Sequence, residues 1–187
     1  MSQTTPLAST PKLVVPVNEQ DHIQGSPDAP VTLVEYGDYE CPHCGRAYLI
    51  IKDIQRILGH RLRFVFRNFP LTTVHPHAEH AAEAAEAAGE QGKFWEMHDT
   101  LYENQDALDD DHLREYAVEL GLNVERFSRE VFVEHTYVDR VREDFMSGVR
   151  SGVNGTPSFF INGRRHDGSW DKEMLLIALK EAAEDSL

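Results

Sequence analysis

The chain has 187 residues, enough to bury a core without disulfide support as one domain, or as one domain carrying an insertion. Its formal net charge of −14, with no cluster of Lys and Arg to interrupt it, excludes a surface for nucleic acid or anionic membrane. Two cysteines exclude a disulfide-dense scaffold, and no apolar run approaches the ~20 residues needed to span a bilayer.

Residues 1–11, rich in Ser, Thr and Pro, are expected to form a disordered tail. The start, MSQTTPLASTPKLVV, has neither a basic beginning nor an apolar stretch and does not read as a secretory leader. A cytoplasmic setting is therefore expected, with a periplasmic or other extracytoplasmic one as the alternative if a leader has been removed. KLVVPV suggests a short first strand, confined to an edge by Pro16. GSPDAP is a turn cluster. VTLVEY (31–36) is strand-like and stops at Gly37. From Pro42 onward Tyr48, Ile51, Ile54, Ile57 and Leu58 recur at helical spacing, and Gly59 ends the helix. RLRFVFRNF (61–69) alternates as a second strand, so the chain opens strand, helix, strand, with parallel pairing as the default.

Residues 75–152 then read as helical. PHAEHAAEAAEAAGE opens with Pro76 at an expected first helical position, and four further segments carry apolar residues at steps of three and four. β character returns in PSFFING, which leads through a turn at Asn162–Gly163 to a short partner, RRHDGS. DKEMLLIALKEAAED is a closing amphipathic helix capped by Asp171. A βαβ unit, a helical block and a ββα unit make an α/β protein: a mixed sheet with helices on both faces, divided at 12–74 and 153–187 by an all-helical insertion over 75–152. Phe94, Trp95, Met97, Leu101 and Tyr102 are expected in the core of that insertion.

Cys41 and Cys44 are the only cysteines, and they share one four-residue window, CPHC. Three readings are open: a structural pair, half of a metal site, or a redox couple. Cys41 falls between a strand end and a helix start, where unpaired backbone N–H groups and the helix dipole favour a thiolate. Pro42 suits the first helical position, and His43 offers a further donor and, when protonated, a positive charge. Asp38 and Glu40 oppose the thiolate unless they are turned away. Cys41 is expected near the surface and Cys44 one turn inward. His77 and His80, three apart on a helix, are a possible metal pair, but no Asp or Cys nearby completes the set; capping and surface roles are preferred, and no metal is expected. DALDDDH lacks the glycine and final glutamate of a calcium loop and reads as a solvated cap.

CPHC after an apolar strand, a long helical insertion and then GTPSFFING resembles the DsbA-type thiol–disulfide oxidoreductases of the thioredoxin superfamily, over residues 12–184. The resemblance implies a thioredoxin-like fold with a four- to five-stranded mixed sheet. It implies an enzyme that exchanges a Cys41–Cys44 disulfide with cysteine-containing proteins or peptides, Cys41 being the nucleophile and Cys44 the resolving thiol. No cofactor beyond that disulfide is implied, and an unidentified redox partner is. Pro157 corresponds to a cis proline facing the disulfide, and the backbone of Thr156 to a pairing site for bound peptide. Glu35 corresponds to a buried acid beneath the active site. The competing expectation is a non-redox module of the same fold that binds peptides or a metal.

Overall fold

The computed structural model describes residues 10–186. The expected disordered tail lies almost wholly outside the described residues; Pro11 already accepts a hydrogen bond from Arg165 N at 2.8 Å.

Five strands make one mixed sheet: β1 (His22–Gly25), β2 (Val31–Gly37), β3 (Leu62–Asn68), β4 (Ser158–Ile161) and β5 (Arg164–His166), in the order β1-β3-β2-β4-β5. The central strand β2 runs parallel to β3, with Val31 opposite Leu62 and Gly37 opposite Asn68. It runs antiparallel to β4, with Glu35 opposite Phe159. Because β2 is buried on both faces, it reads as a nearly continuous apolar run rather than an alternation. The β4–β5 hairpin turns at Asn162–Gly163 as expected; both have positive φ, 47° and 80°.

The first strand differs from expectation. KLVVPV contributes one isolated bridge, Lys12 to Arg164. The carbonyls of Val15 and Pro16 are taken instead by the Arg67 guanidinium, at 2.9 and 3.2 Å. That guanidinium also makes a bidentate pair with Asp21 at 2.8 and 2.9 Å, which pins the segment across β3. The edge is supplied by HIQG, antiparallel to β3, which owes its form to that pairing rather than to strand propensity.

Seven helices follow among the described residues: α1 (Pro42–Leu58), α2 (Ala78–Glu90), α3 (Phe94–Glu103), α4 (Asp110–Glu119), α5 (Val124–Phe132), α6 (Val138–Arg150) and α7 (Lys172–Glu184). Asp109 caps α4, Asn123 caps α5 and Asp171 caps α7 through side-chain acceptors. Pro76 is not the first residue of α2; the helix starts at Ala78 behind a turn, because His75 and His77 are engaged elsewhere. One sheet face carries Leu33, Phe64, Phe66 and Phe159 and is covered by α1 and α7. Its apolar cluster runs without a break into Ala81, Ala84, Ala88, Met97, Leu101, Leu113 and Phe127, so α2–α5 share the core of the sheet. The opposite face carries Val34, Tyr36, Val65 and Phe160. There α6 lies close: Tyr36 Oη contacts Ser147 Oγ at 2.8 Å and Asn68 N donates to Asp144 at 3.0 Å.

Candidate active site

β2 ends at Gly37, and after four intervening residues α1 begins at Pro42. Cys41 is the N-cap of α1 (φ −72°, ψ 122°), Pro42 takes the first position, where no N–H is needed, and Gly45 N closes the first turn on Cys41 O at 3.1 Å. Both cysteines are free thiols in this structure. Cys44 faces the core with no exposure, as expected one turn inward. Cys41 is also buried, 3% exposed, and not at the surface as expected. The Thr156 carbonyl covers it, accepting from the Cys41 thiol at 3.6 Å. The Thr156–Pro157 peptide bond is cis, and β4 carries this segment to the sulfur across 115 residues of sequence.

The two sulfurs differ in acidity. The Cys41 thiol is lowered to about 5, chiefly by a hydrogen bond from Cys44, with further help from the Thr156 side chain and the backbone N–H groups of Cys44 and His43, against the opposing effect of burial. The Thr156 hydroxyl is buried and has no hydrogen-bond partner in this structure, so it is free to turn to that sulfur. Burial first, then the contact with Cys41 and the charge of Glu35, push the Cys44 thiol up. The part played by His43 differs from expectation: its imidazole is exposed and takes a hydrogen bond from Arg46 at 2.6 Å, so it is the His43 backbone that acts on Cys41. The acids upstream are neither turned to water nor aimed at the sulfur. Asp38 accepts from Glu40 N, Leu71 N and His75 Nδ1, each at 2.8 Å. Glu40 holds His77 N and Nδ1 at 2.7 and 2.9 Å. Each acid is thus matched by a histidine of the segment that enters α2.

Glu35 is buried, on the face of β2 that packs against the cluster holding Cys44 of α1. Burial, and then the Cys41 charge, raise its carboxyl to about 8. Its Oε1 and the Tyr102 hydroxyl are both buried without a protein partner. Both face Gly37: a Cβ at that position would lie 3.1 Å from Glu35 Oε1, 2.9 Å from Tyr102 Oη and 2.5 Å from a Phe66 ring carbon. Gly37 is therefore required by close approach. Gly37→Ala is expected to cost about 1–3 kcal/mol through overpacking, read as a lower urea midpoint at unchanged slope.

Two contributors carried no clear signal. Gln105, after α3, donates from Nε2 to Tyr39 O at 2.8 Å and Cys41 O at 2.9 Å and lies over Gly45, so the active-site turn is held by a side chain from between α3 and α4. Tyr102 was expected as core, which it is, but not as a hydroxyl facing Glu35. The match of His75 and His77 to Asp38 and Glu40 did leave a trace, since both pairs are spaced by two residues.

A sequence model described as thioredoxin matches residues 17–181. A protein named Na(+)/H(+) antiporter NhaA 1, from Mycobacterium sp. (strain KMS), is 48% identical over 170 residues, which is 90% of this chain and 28% of that protein. Another of that name, from Salinispora arenicola (strain CNS-205), is 48% identical over 171 residues, 91% of this chain and 26% of that one. The chain thus spans about a quarter of the length of these curated relatives. Among solved structures, a thioredoxin-like oxidoreductase from Silicibacter pomeroyi DSS-3 superposes with a TM-score of 0.78 at 27% identity, covering 89% of this chain and 94% of that one. Oxidised BdbD from Bacillus subtilis superposes with a TM-score of 0.79 at 23% identity, covering 94% and 96%. The fold is thioredoxin-like, a five-stranded mixed sheet flanked by helices.

Proposed function

The chain belongs to the thioredoxin family, and on that premise we propose that it is a thiol–disulfide oxidoreductase whose Cys41–Cys44 couple oxidises cysteine pairs in other proteins. One observation carries this reading: an acidic thiol at the N-terminus of α1 faces Thr156, while its neighbour is sealed beneath it beside Glu35. Structures of thioredoxin-like and DsbA-type proteins with the same fold support it.

In the proposed reaction a substrate thiolate attacks Cys41 of the Cys41–Cys44 disulfide. The S–S bond breaks, a mixed disulfide forms at Cys41, and the electron pair leaves on Cys44. Cys44 is a poor thiolate, so it needs a proton. Glu35, raised to about 8, holds one at neutral pH and supplies it. The second substrate thiolate then attacks the substrate's own sulfur and expels Cys41. Cys41 is the better leaving group because its thiolate is the more stable, and the same stabilisation of the reduced form makes the couple oxidising. In sum, the substrate dithiol loses two electrons and two protons; the couple takes both electrons and, on Cys44, one proton through Glu35, which solvent then restores, while the other proton stays in solvent because Cys41 leaves as a thiolate. A redox partner must reoxidise the pair. In the proposed complex the substrate segment lies extended beside Thr156 and Pro157, with the Thr156 carbonyl against the attacked sulfur.

The test is transfer from the oxidised protein to a reduced two-cysteine peptide. One peptide disulfide should form for each Cys41–Cys44 disulfide consumed, with turnover when glutathione disulfide is supplied. No transfer would leave a non-redox, peptide-binding module as the better reading. In the same assay Glu35→Gln should slow turnover by about 10²-fold with the fold intact; an unchanged rate would take Glu35 out of the mechanism.

A second reading comes from the relatives, in which the matching stretch belongs to longer proteins named as antiporters. It places this module beside a membrane transporter whose cysteines it oxidises or reduces. Ion transport itself would belong to the rest of such a protein, since no described helix here is long and apolar enough to cross a membrane. An antiporter among the proteins trapped on a Cys44→Ser variant would favour it; repeated recovery of unrelated proteins alone would count against it.

A further inference from the structure

We propose that His80, Glu83 and His135 form a binding site for one divalent transition-metal ion, with zinc as the best match. The three residues come from α2 and from the α5–α6 connection, and one ligand atom of each lies within 4.8 Å of the other two. Around a tetrahedral zinc with bonds of 2.0–2.1 Å, ligand atoms stand about 3.3 Å apart. His135 Nδ1 and Glu83 Oε2 already stand at 3.4 Å, so a modest rotation of two partly exposed imidazoles completes the set.

Two further observations point to a ligand here, and a third places His135. Glu83 has a side chain only 1% exposed, and its Oε1 finds no protein partner. A buried carboxylate oxygen without a donor is costly, and a cation supplies what is missing. His80 is oriented from behind: its Nδ1 lies 2.7 Å from Asp110 Oδ1 on α4. That contact fixes the proton on Nδ1 and leaves Nε2 free to bind, the arrangement by which carboxylates support metal-binding histidines. His135 adopts φ 48°, a strained backbone for a residue with a side chain. It is held there by Thr136 N donating to Glu130 O at 2.9 Å.

The donor set decides the ion. Two imidazoles and one carboxylate suit zinc and its neighbours rather than calcium or magnesium, and three protein ligands leave a position for water. The floor of the site is Glu83, while His80 and His135 are about a third and a half exposed, so an ion has a way in. His77 is not part of it; it is held by Glu40. The pair His77–His80, weighed from the sequence and set aside there, is not the pair used here; His135 is 55 residues from His80 in sequence and invisible to a search for local spacing.

The experiment uses the full chain with Cys41 and Cys44 oxidised, so that neither thiol competes for metal. Titration calorimetry with zinc chloride should show one equivalent bound with a Kd of about 1 µM or tighter. Cobalt(II) should give the visible absorption of a four-coordinate nitrogen–oxygen site. The doubly substituted His80→Ala, His135→Ala variant should lose both signals, and Asp110→Asn should weaken zinc about 10-fold or more. Two results overturn the proposal: no zinc bound by the oxidised wild type at 100-fold over the expected Kd (~100 µM), or zinc bound as tightly by the double variant. Because both histidines are partly exposed, circular dichroism of the double variant should match wild type; if it does not, the cobalt spectrum of the wild-type chain decides the matter alone.

Discussion

Cys41→Ser is expected to bring disulfide exchange down to the uncatalysed background, a loss on the order of 10³-fold or more, and to trap no partner. Cys44→Ser is expected to keep the first exchange and lose the second. The asymmetry follows from placement. Cys41 caps α1 beside Thr156 and forms the stabilised thiolate, whereas Cys44 has no exposure and is held protonated by burial. On the proposed reading a partner therefore meets Cys41, and Cys44 reaches only Cys41. Without Cys44 the mixed disulfide has no internal route to resolution and accumulates. The measurement is a non-reducing gel of cell extract exposed to each variant, repeated after dithiothreitol. Complexes on Cys44→Ser that vanish on reduction support the assignment. Complexes on Cys41→Ser instead would reverse the roles, and complexes on neither would point to a small-molecule disulfide as the substrate.

The second large effect is in acidity. The Cys41 thiol should titrate near pH 5 where an unperturbed one titrates near 9.0, some 10⁴-fold in its acid constant. Thiolate absorbance followed against pH in the reduced protein reads this directly, and a midpoint near ~8.5 would overturn it. The stability consequence has a definite sign. The folded thiol gives up its proton at lower pH than the unfolded one, so it stabilises the fold fully above pH 9, and the gain is lost as pH falls through 5. At pH 7, two pH units above the folded value, it amounts to about 2–3 kcal/mol. Glu35 works in the opposite sense: with its carboxyl raised from 4.5 to about 8, it costs stability as pH rises through that interval. The difference between reduced wild type and reduced Cys41→Ser isolates the thiolate. Urea unfolding of both at pH 5 and pH 7 should show the gap opening as pH rises; a gap that stays constant would assign the effect to something other than ionisation.

Much of the sheet was legible because β2 and β3 carry their own signal, an apolar run and an alternation, and because Gly59, Asn162–Gly163 and Asp171 mark ends by local chemistry. The edge strand was not. HIQG has little strand character and is shaped by β3, while the more strand-like KLVVPV is drawn away by the carbonyls it gives to Arg67. The site divides in the same way. Cys41, Cys44 and Pro42 sit where the strand-to-helix junction puts them, whereas Glu35 was marked only by the family resemblance, because β2 is buried on both faces and its pattern does not single out one side. The side chain of His43 could not be placed from its neighbours, because its partner is Arg46 one turn on and not the sulfur. Gln105 and Tyr102 reach the site only through the docking of α3, a tertiary contact that no window of sequence contains.

The contact between Cys41 and Thr156 also orders the centre in time. The chain is made from its N-terminus, and the sulfur's facing residue is encoded 115 positions later. At about 5–20 residues per second, roughly ten seconds separate their synthesis. During that interval a nascent chain carries both cysteines without the strand that confronts them, and without the Thr156 hydroxyl that helps hold the thiolate. On the proposed reading, the share of Cys41 acidity supplied by Cys44 and the α1 backbone is present early, and the share supplied by Thr156 arrives only with β4, so a chain stalled before β4 carries a blunter nucleophile than one that has reached it.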